Sequence, residues 1–231
     1  MSVAYHVELY QNRIYECEGL RQLIALMRAE EKCVLDVGAG SGGNAKLMRE
    51  RGKEVHALTL SDAEALLLRD VCNTVQVLDL ESDSVPKRFP PAHFDAIVCS
   101  HVLEHLRHPE RCLMELSGVL RPGGRIYVVL PNLAFYRQRI ELLVGSFEYS
   151  EFGLLDRTHL RFFTYHSARR LVAEAGYRVV AHQAVGWVPL WPVRRWVGYE
   201  TWLDRWGCQL APNLFGWHIL IVGEKCEESR G

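Results

Sequence analysis

The sequence predicts an α/β fold built on a mostly parallel sheet, and three observations carry that prediction. Short β-branched runs alternate with amphipathic stretches between residues 32 and 130, and parallel strands need such crossovers between them. The run Val34-Leu-Asp-Val37 ends with three glycines at alternate positions, Gly38, Gly40 and Gly42, the signature of a strand turning tightly into a helix. The 231 residues are 48% hydrophobic and 24% charged, which is ordinary for a globular chain and enough for one sizeable core.

Taken in order, residues 6–30 put Leu20, Leu23, Ile24 and Met27 at helical spacing and predict one or two leading helices. Strands are predicted at 32–37, 53–59, 74–78, 94–99 and 124–130, with helices at 43–51, 61–71 and 109–119 between them. Right-handed crossovers bring the C-terminal ends of these strands to one edge, where ligands bind in such sheets. After Pro131 the regularity lapses, and residues 131–165 are aromatic and basic without a period. A helix over 167–175, closed by Gly176, and a strand over 177–184 follow. A second irregular stretch, 186–214, precedes a last strand at 215–223. The expected organisation is a single domain over 1–231. It has a helical N-terminal segment (1–30) and two insertions, 131–165 and 186–214, that form a substrate lid, because loops of that length are usually functional.

Several function classes are disfavoured. A net charge of −1 offers no concentrated basic surface for nucleic acid. The seven cysteines contain no Cys-x-x-Cys pair, which fits a reducing compartment. Neither a signal-peptide pattern at the N-terminus nor an apolar run of membrane-spanning length is present. The expected location is cytoplasmic, with a small molecule as the partner and the oligomeric state open.

The glycine turn points to a nucleotide-like ligand. Gly38, Gly40 and Gly43 satisfy the dinucleotide pattern G-x-G-x-x-G, but that reading wants an acid at the end of the second strand to hold a ribose. Ala57-Leu-Thr59-Leu-Ser61 offers none there. A nicotinamide cofactor also leaves Asp36 unexplained, since an acid at the mouth of the sheet suits a cationic ligand better than a pyrophosphate.

Val34-Leu-Asp-Val-Gly-Ala-Gly-Ser-Gly42 resembles the first motif of class I S-adenosylmethionine-dependent methyltransferases, and further matches follow in order. Leu78-Asp79-Leu80 resembles the acidic turn after the third strand, and Phe94 to Leu106 the fourth strand and its turn. Leu120-Arg-Pro-Gly-Gly124 with Arg125 to Asn132 resembles the Pro-Gly-Gly turn and fifth strand. Asp156-Arg-Thr-His-Leu-Arg-Phe-Phe-Thr164 resembles a segment of a branch that modifies sugars and natural products. The resemblance implies a Rossmann-like seven-stranded sheet with an antiparallel last strand and helices on both faces. It implies S-adenosyl-L-methionine as cofactor, held by Asp36, Gly38, Ala39, Gly40, Thr59, Leu60, Asp79, Leu80, Ser100 and His101. Thr59 departs from the ribose acid of many members, leaving the ribose to Thr59 itself or to Asp62 or Glu64.

Methyl transfer needs alignment, exclusion of water and, for a hydroxyl acceptor, a base. Histidine suits that task near neutrality, so His101 and His159 are the catalytic candidates, with Asp156 and Glu104 considered beside them. His159 could instead order the lid through Asp156 or a backbone carbonyl. The expected reaction is methylation of a small-molecule hydroxyl, with N- or C-methylation, or a non-catalytic cofactor-binding sensor, as alternatives. His101-Val-Leu-Glu104-His105 also matches the inverted zinc-protease pattern, but it follows a strand directly and Pro109 comes soon after. No metal is therefore expected, and Glu104 and His105 are read as pinning the turn to the N-terminal helix. All six tryptophans lie between 187 and 217. Positions 196, 199, 203 and 206 have helical spacing, which predicts a stripe packed on the sheet. An aromatic wall of the acceptor pocket or an interfacial membrane helix are the other readings, the last disfavoured by Gly198 and Gly207.

Overall fold

In the computed structural model, residues 14–15, 18–189 and 201–226 are described. Seven strands form one sheet: β1 (Cys33–Val37), β2 (Glu54–Thr59), β3 (Thr74–Val77), β4 (Phe94–Ser100), β5 (Leu120–Pro131), β6 (Tyr177–Gly186) and β7 (Gly216–Lys225). Their spatial order is β3-β2-β1-β4-β5-β7-β6. Strands β1 to β5 pair in parallel, and β7 runs antiparallel to both β5 and β6. The order reverses between β1 and β4, so a crevice opens at their C-terminal ends.

Strand alternation divides the core. Leu35, Val37, Ile97, Cys99 and Val128 face one way and pack with Leu113 and Leu116 of α4 (Pro109–Val119) and Val172 of α6 (Tyr165–Glu174). Val34, Val55, Ala57, Val98 and Val129 face the other way. They pack with Leu23 and Ile24 of α1 (Arg21–Ala25), Met48 of α2 (Gly43–Glu50) and Leu68 of α3 (Asp62–Leu68). Two further helices, α7 (Trp202–Leu210) and α8 (Pro212–Phe215), precede β7, and α5 (Tyr136–Leu143) follows β5.

Several expectations need correction. The leading region does hold one of the one or two helices expected, the five-residue α1, and residues 6–13 and 16–17 lie outside the described residues. The region 131–165, read as irregular, contains α5. Tyr136, Ile140 and Leu143 do recur at helical spacing, but Ile140, Leu142 and Leu143 are exposed and Gln138 is the helix's one buried residue, so this apolar stripe faces outward rather than into the core. Helix α6 begins at Tyr165, two residues early, because Thr164 caps it reciprocally with Ser167. In the tryptophan-rich stretch, positions 196 and 199 lie outside the described residues, and the stripe does not hold at Trp206. Trp202 and Trp206 are 73% and 58% exposed, while Asp204, Gly207 and Cys208 form the buried face. Asp204 turns inward because its carboxylate accepts from Thr201 N and Val188 N. Gly207 lies where a Cβ would come within 2.2 Å of Val188 Cγ1.

Asn132 ties the last parallel strand to the antiparallel one. Fully buried, its Nδ2 donates to Gly216 O (2.7 Å) and Asn213 O (3.1 Å), and its Oδ1 accepts from Ala134 N (3.1 Å). Asn132→Ala leaves these groups without that partner, and the expected loss is about 2–4 kcal/mol in urea denaturation. A loss below about 1 kcal/mol would contradict this role.

Candidate active site

A cavity of about 390 Å³ opens at the C-terminal edge of the sheet. One wall comes from the ends of β1, β2 and β3 and holds Gly38, Ala39, Gly40, Thr59, Leu60, Asp79 and Leu80. The other comes from the ends of β4, β5 and β7 and from the segment 152–159, and holds Ser100, His101, His105, Asp156, His159, Trp217 and His218. Nine of the ten residues assigned to the cofactor thus line one cavity. Asp36 is absent from its walls and is fully buried below the glycine turn. Of the stretch 186–214, none of the described residues lines the cavity.

The turn after β1 is held by backbone hydrogen bonds to β2, to Tyr15 and within itself. Gly38 N and Ala39 N both donate to Leu58 O (2.8 and 3.1 Å), Ser41 N to Tyr15 O (3.0 Å) and Gly42 N to Ala39 O (2.9 Å). These donors are spent inside the protein, so the turn is not the nest of free N–H groups that cradles a pyrophosphate. Gly38 takes φ +65, and a Cβ there would lie 2.4 Å from Val102 Cγ2. Glycine is required for that conformation and that approach.

Asp36 is the electrostatic centre of this end. Its Oδ2 has no hydrogen-bond partner among the described residues, and burial pushes its carboxyl up to about 7. An unpartnered buried carboxyl is costly on its own and gains from a cationic neighbour. The second strand ends in Thr59, whose Oγ1 donates to Glu64 Oε2 (2.6 Å), while Glu64 Oε1 accepts from Tyr15 N (3.0 Å). A buried glutamate from the start of α3 therefore lines the wall where the strand itself supplies no acid. Asp79 Oδ1 accepts from Glu81 N and Oδ2 from Ser82 Oγ. Each oxygen keeps a second lone pair for a ligand.

The opposite wall is organised around Glu104. His101 sits at φ +57, a left-handed conformation costing a non-glycine residue about 1–2 kcal/mol. Its Nδ1 pairs with Glu104 Oε1 at 3.0 Å, and its ring meets that of His218 edge-on at 4.8 Å. Glu104 is fully buried. Burial raises its carboxyl, but the His101 hydrogen bond and the nearby histidines outweigh this and hold it below its usual range. In the neutral tautomer that donates Nδ1–H to this carboxylate, the other ring nitrogen of His101 carries the lone pair. Burial holds His218 well below its ordinary value, and its neighbour His101 further disfavours a second positive charge there.

The turn is pinned to the segment 154–161, while its expected attachment to the N-terminal region is met among the described residues only by Tyr15, whose ring lies 6.1 Å from that of His105. Glu104 O accepts from Leu160 N and Arg161 N (2.8 and 3.0 Å), and His105 Nδ1 lies 3.1 Å from Thr158 Oγ1. Asp156 accepts from Thr158 N and Thr158 Oγ1 (2.8 and 2.7 Å), which closes a local turn. His159 Nδ1 meets Leu154 O at 2.9 Å, and its ring packs edge-on against His105 at 4.7 Å. The zinc-protease setting is missing: residues 103–105 form a single 3-10 turn, so His101 and His105 do not share a helical face.

Tyr15, Asn44, Trp217 and His218 also line the cavity and were not singled out from the sequence. The antiparallel direction of β7 explains the last two, because it places the start of that strand, rather than its end, at the ligand edge. Leading helices offered no signal for Tyr15, which packs near His105 from an irregular stretch.

A family model described as a methyltransferase domain matches residues 9–182. The chain is 30% identical over 165 residues to a ubiquinone biosynthesis O-methyltransferase of Azoarcus sp. (strain BH72), covering 69% of this chain and 70% of that protein. The solved structure of a SAM dependent methyltransferase from Archaeoglobus fulgidus matches with a TM-score of 0.65 at 19% identity, covering 89% of this chain and 91% of that one. Burkholderia thailandensis 1,6-didemethyltoxoflavin-N1-methyltransferase, solved with S-adenosylhomocysteine bound, matches with a TM-score of 0.56 at 18% identity, covering 90% and 78%. The chain belongs to the methyltransferase domain family. It is an S-adenosylmethionine-dependent enzyme that methylates small molecules, and its sheet is the Rossmann-like sheet of that fold. Among the described residues, no helix is long and apolar enough to cross a membrane.

Proposed function

We propose that this enzyme methylates a hydroxyl oxygen of its acceptor and that His101 takes the hydroxyl proton. The observation that carries the reading is the buried Glu104 carboxylate paired with His101 Nδ1 at 3.0 Å. A neutral amine attacks carbon through its own lone pair without such a pair, whereas a hydroxyl near neutral pH needs its proton removed. The O-methyltransferase named above, at 30% identity, supports the same choice.

When bound, the cofactor supplies a methyl group on a sulfonium, open to in-line displacement. Gly38, Ala39 and Gly40 hold its amino-acid portion against the turn, with Asp36 beneath them as counter-charge. Thr59 and Glu64 hold the ribose hydroxyls, and Asp79 and Leu80 the adenine edge. Ser100 and His101 stand beside the transferred group. His101 accepts the hydroxyl proton at its free ring nitrogen, and Glu104 stabilises the resulting imidazolium. His159, held by Leu154 O, orders the segment 152–161 as the acceptor-side wall of a single domain, and that wall excludes water.

The test is a transfer assay with tritium-methyl cofactor and matched sets of hydroxyl, amine and activated-carbon acceptors. Label is expected in the hydroxyl set. Label confined to amines would overturn the proposal.

A further inference from the structure

The edge of the sheet opposite the cavity carries a second cluster of chemistry-bearing side chains. Cys33 opens β1, His56 lies within β2, and His93 precedes β4. One ligand atom from each lies within 4.8 Å of the other two. Cys33 pairs with Glu54 across the β1–β2 ladder, and Glu54 and His56 are two residues apart, so all three share one face of the sheet. Glu54 Oε1 is 3.2 Å from His56 Nε2.

Two details favour a metal over an ordinary polar contact. His56 Nδ1 bonds Thr74 Oγ1 at 2.7 Å, the outer partner that turns a ligating imidazole so that Nε2 faces the ion. The residue before His93, Ala92, takes φ +53, a strained conformation for alanine that bends the loop to bring His93 over the other two. A thiolate and two imidazoles make a mixed soft and borderline set suited to zinc rather than to magnesium or calcium.

We propose that Cys33, His56 and His93 bind a divalent transition metal of the zinc class, with water completing its coordination. The site clamps the starts of β1, β2 and β4 and stands apart from methyl transfer. Cys33 lies roughly 16 Å along β1 from the glycine turn. Binding displaces the thiol proton to solvent and changes no oxidation state. The sequence conceals the site because its ligands come from three separate strand ends, without the paired spacing of a zinc motif.

Cobalt(II) is the probe. Titration of chelator-treated protein with CoCl2 should give one equivalent with tetrahedral visible bands and a thiolate-to-cobalt band in the near ultraviolet, both bleached by ZnCl2. Cys33→Ser should abolish the thiolate band, His93→Ala should weaken zinc binding at least tenfold, and Cys226→Ser should change neither. S-adenosylhomocysteine binding in each variant reports that it is folded. Absence of the thiolate band in the wild-type protein, or its survival in Cys33→Ser, would overturn the proposal.

Discussion

Asp36→Asn is expected to stabilise the ligand-free protein at pH 8 while weakening its hold on the cofactor. Burial raises the Asp36 carboxyl from its ordinary 3.8 to about 7. At 1.36 kcal/mol per unit this is about 4 kcal/mol of linkage. The sign follows from the direction of the shift. An acid whose folded value is raised gives stability that is fully present below its unfolded value and is lost as pH rises through the folded one. In the wild-type protein this contribution disappears between about pH 4 and pH 7. The variant has nothing to ionise, but it buries an amide N–H pair at a cost of about 1–3 kcal/mol. The net expectation at pH 8 is a gain of about 2 kcal/mol in urea denaturation, with a loss instead at pH 4, where wild-type Asp36 is already neutral. Calorimetry should show the affinity for S-adenosylmethionine, which carries the sulfonium, falling about tenfold or more, a cost of at least about 1.4 kcal/mol. A variant equal to wild type in both affinity and pH dependence would remove Asp36 from the account.

His101→Ala is expected to lower kcat by about 10²–10⁴-fold, the range of a lost general base. S-adenosylhomocysteine affinity should stay within about threefold, a difference below about 1 kcal/mol. Glu104→Gln should act in the same direction more weakly, because the amide still accepts from Nδ1–H but no longer offsets the imidazolium charge. A purely structural loss would be indifferent to the acceptor. Loss of a base is not, so acidic phenols that ionise unaided should recover much of the lost rate in His101→Ala. Equal loss with acidic and ordinary hydroxyls would assign His101 a packing role.

Most of this architecture was legible because local rules and global fold agree. Val34, Leu35 and Val37 read as a strand buried on both faces, and Gly38 sits at a positive φ that only glycine adopts cheaply. Thr59 left a question that only geometry answers, since Glu64 reaches the wall from one helical turn further along. Where side chains face solvent the pattern failed. Helix α5 has apolar residues at helical spacing, yet Ile140 and Leu143 face solvent, and Trp206 likewise points outward because Asp204 and Gly207 pack against Val188. His218 was hidden for a topological reason, as residues near the start of a strand reach the site only if that strand runs backwards.

The central claim is transfer of a methyl group to oxygen in the cavity that His101 faces. Its most direct test uses cofactor carrying a ¹³C-labelled methyl group, the wild-type enzyme and an acceptor found in the tritium assay. Carbon NMR of the isolated product should show the label as a methoxy carbon, and His101→Ala should form the same product slowly. A label bonded to nitrogen or carbon, or undiminished transfer by His101→Ala, would contradict the account.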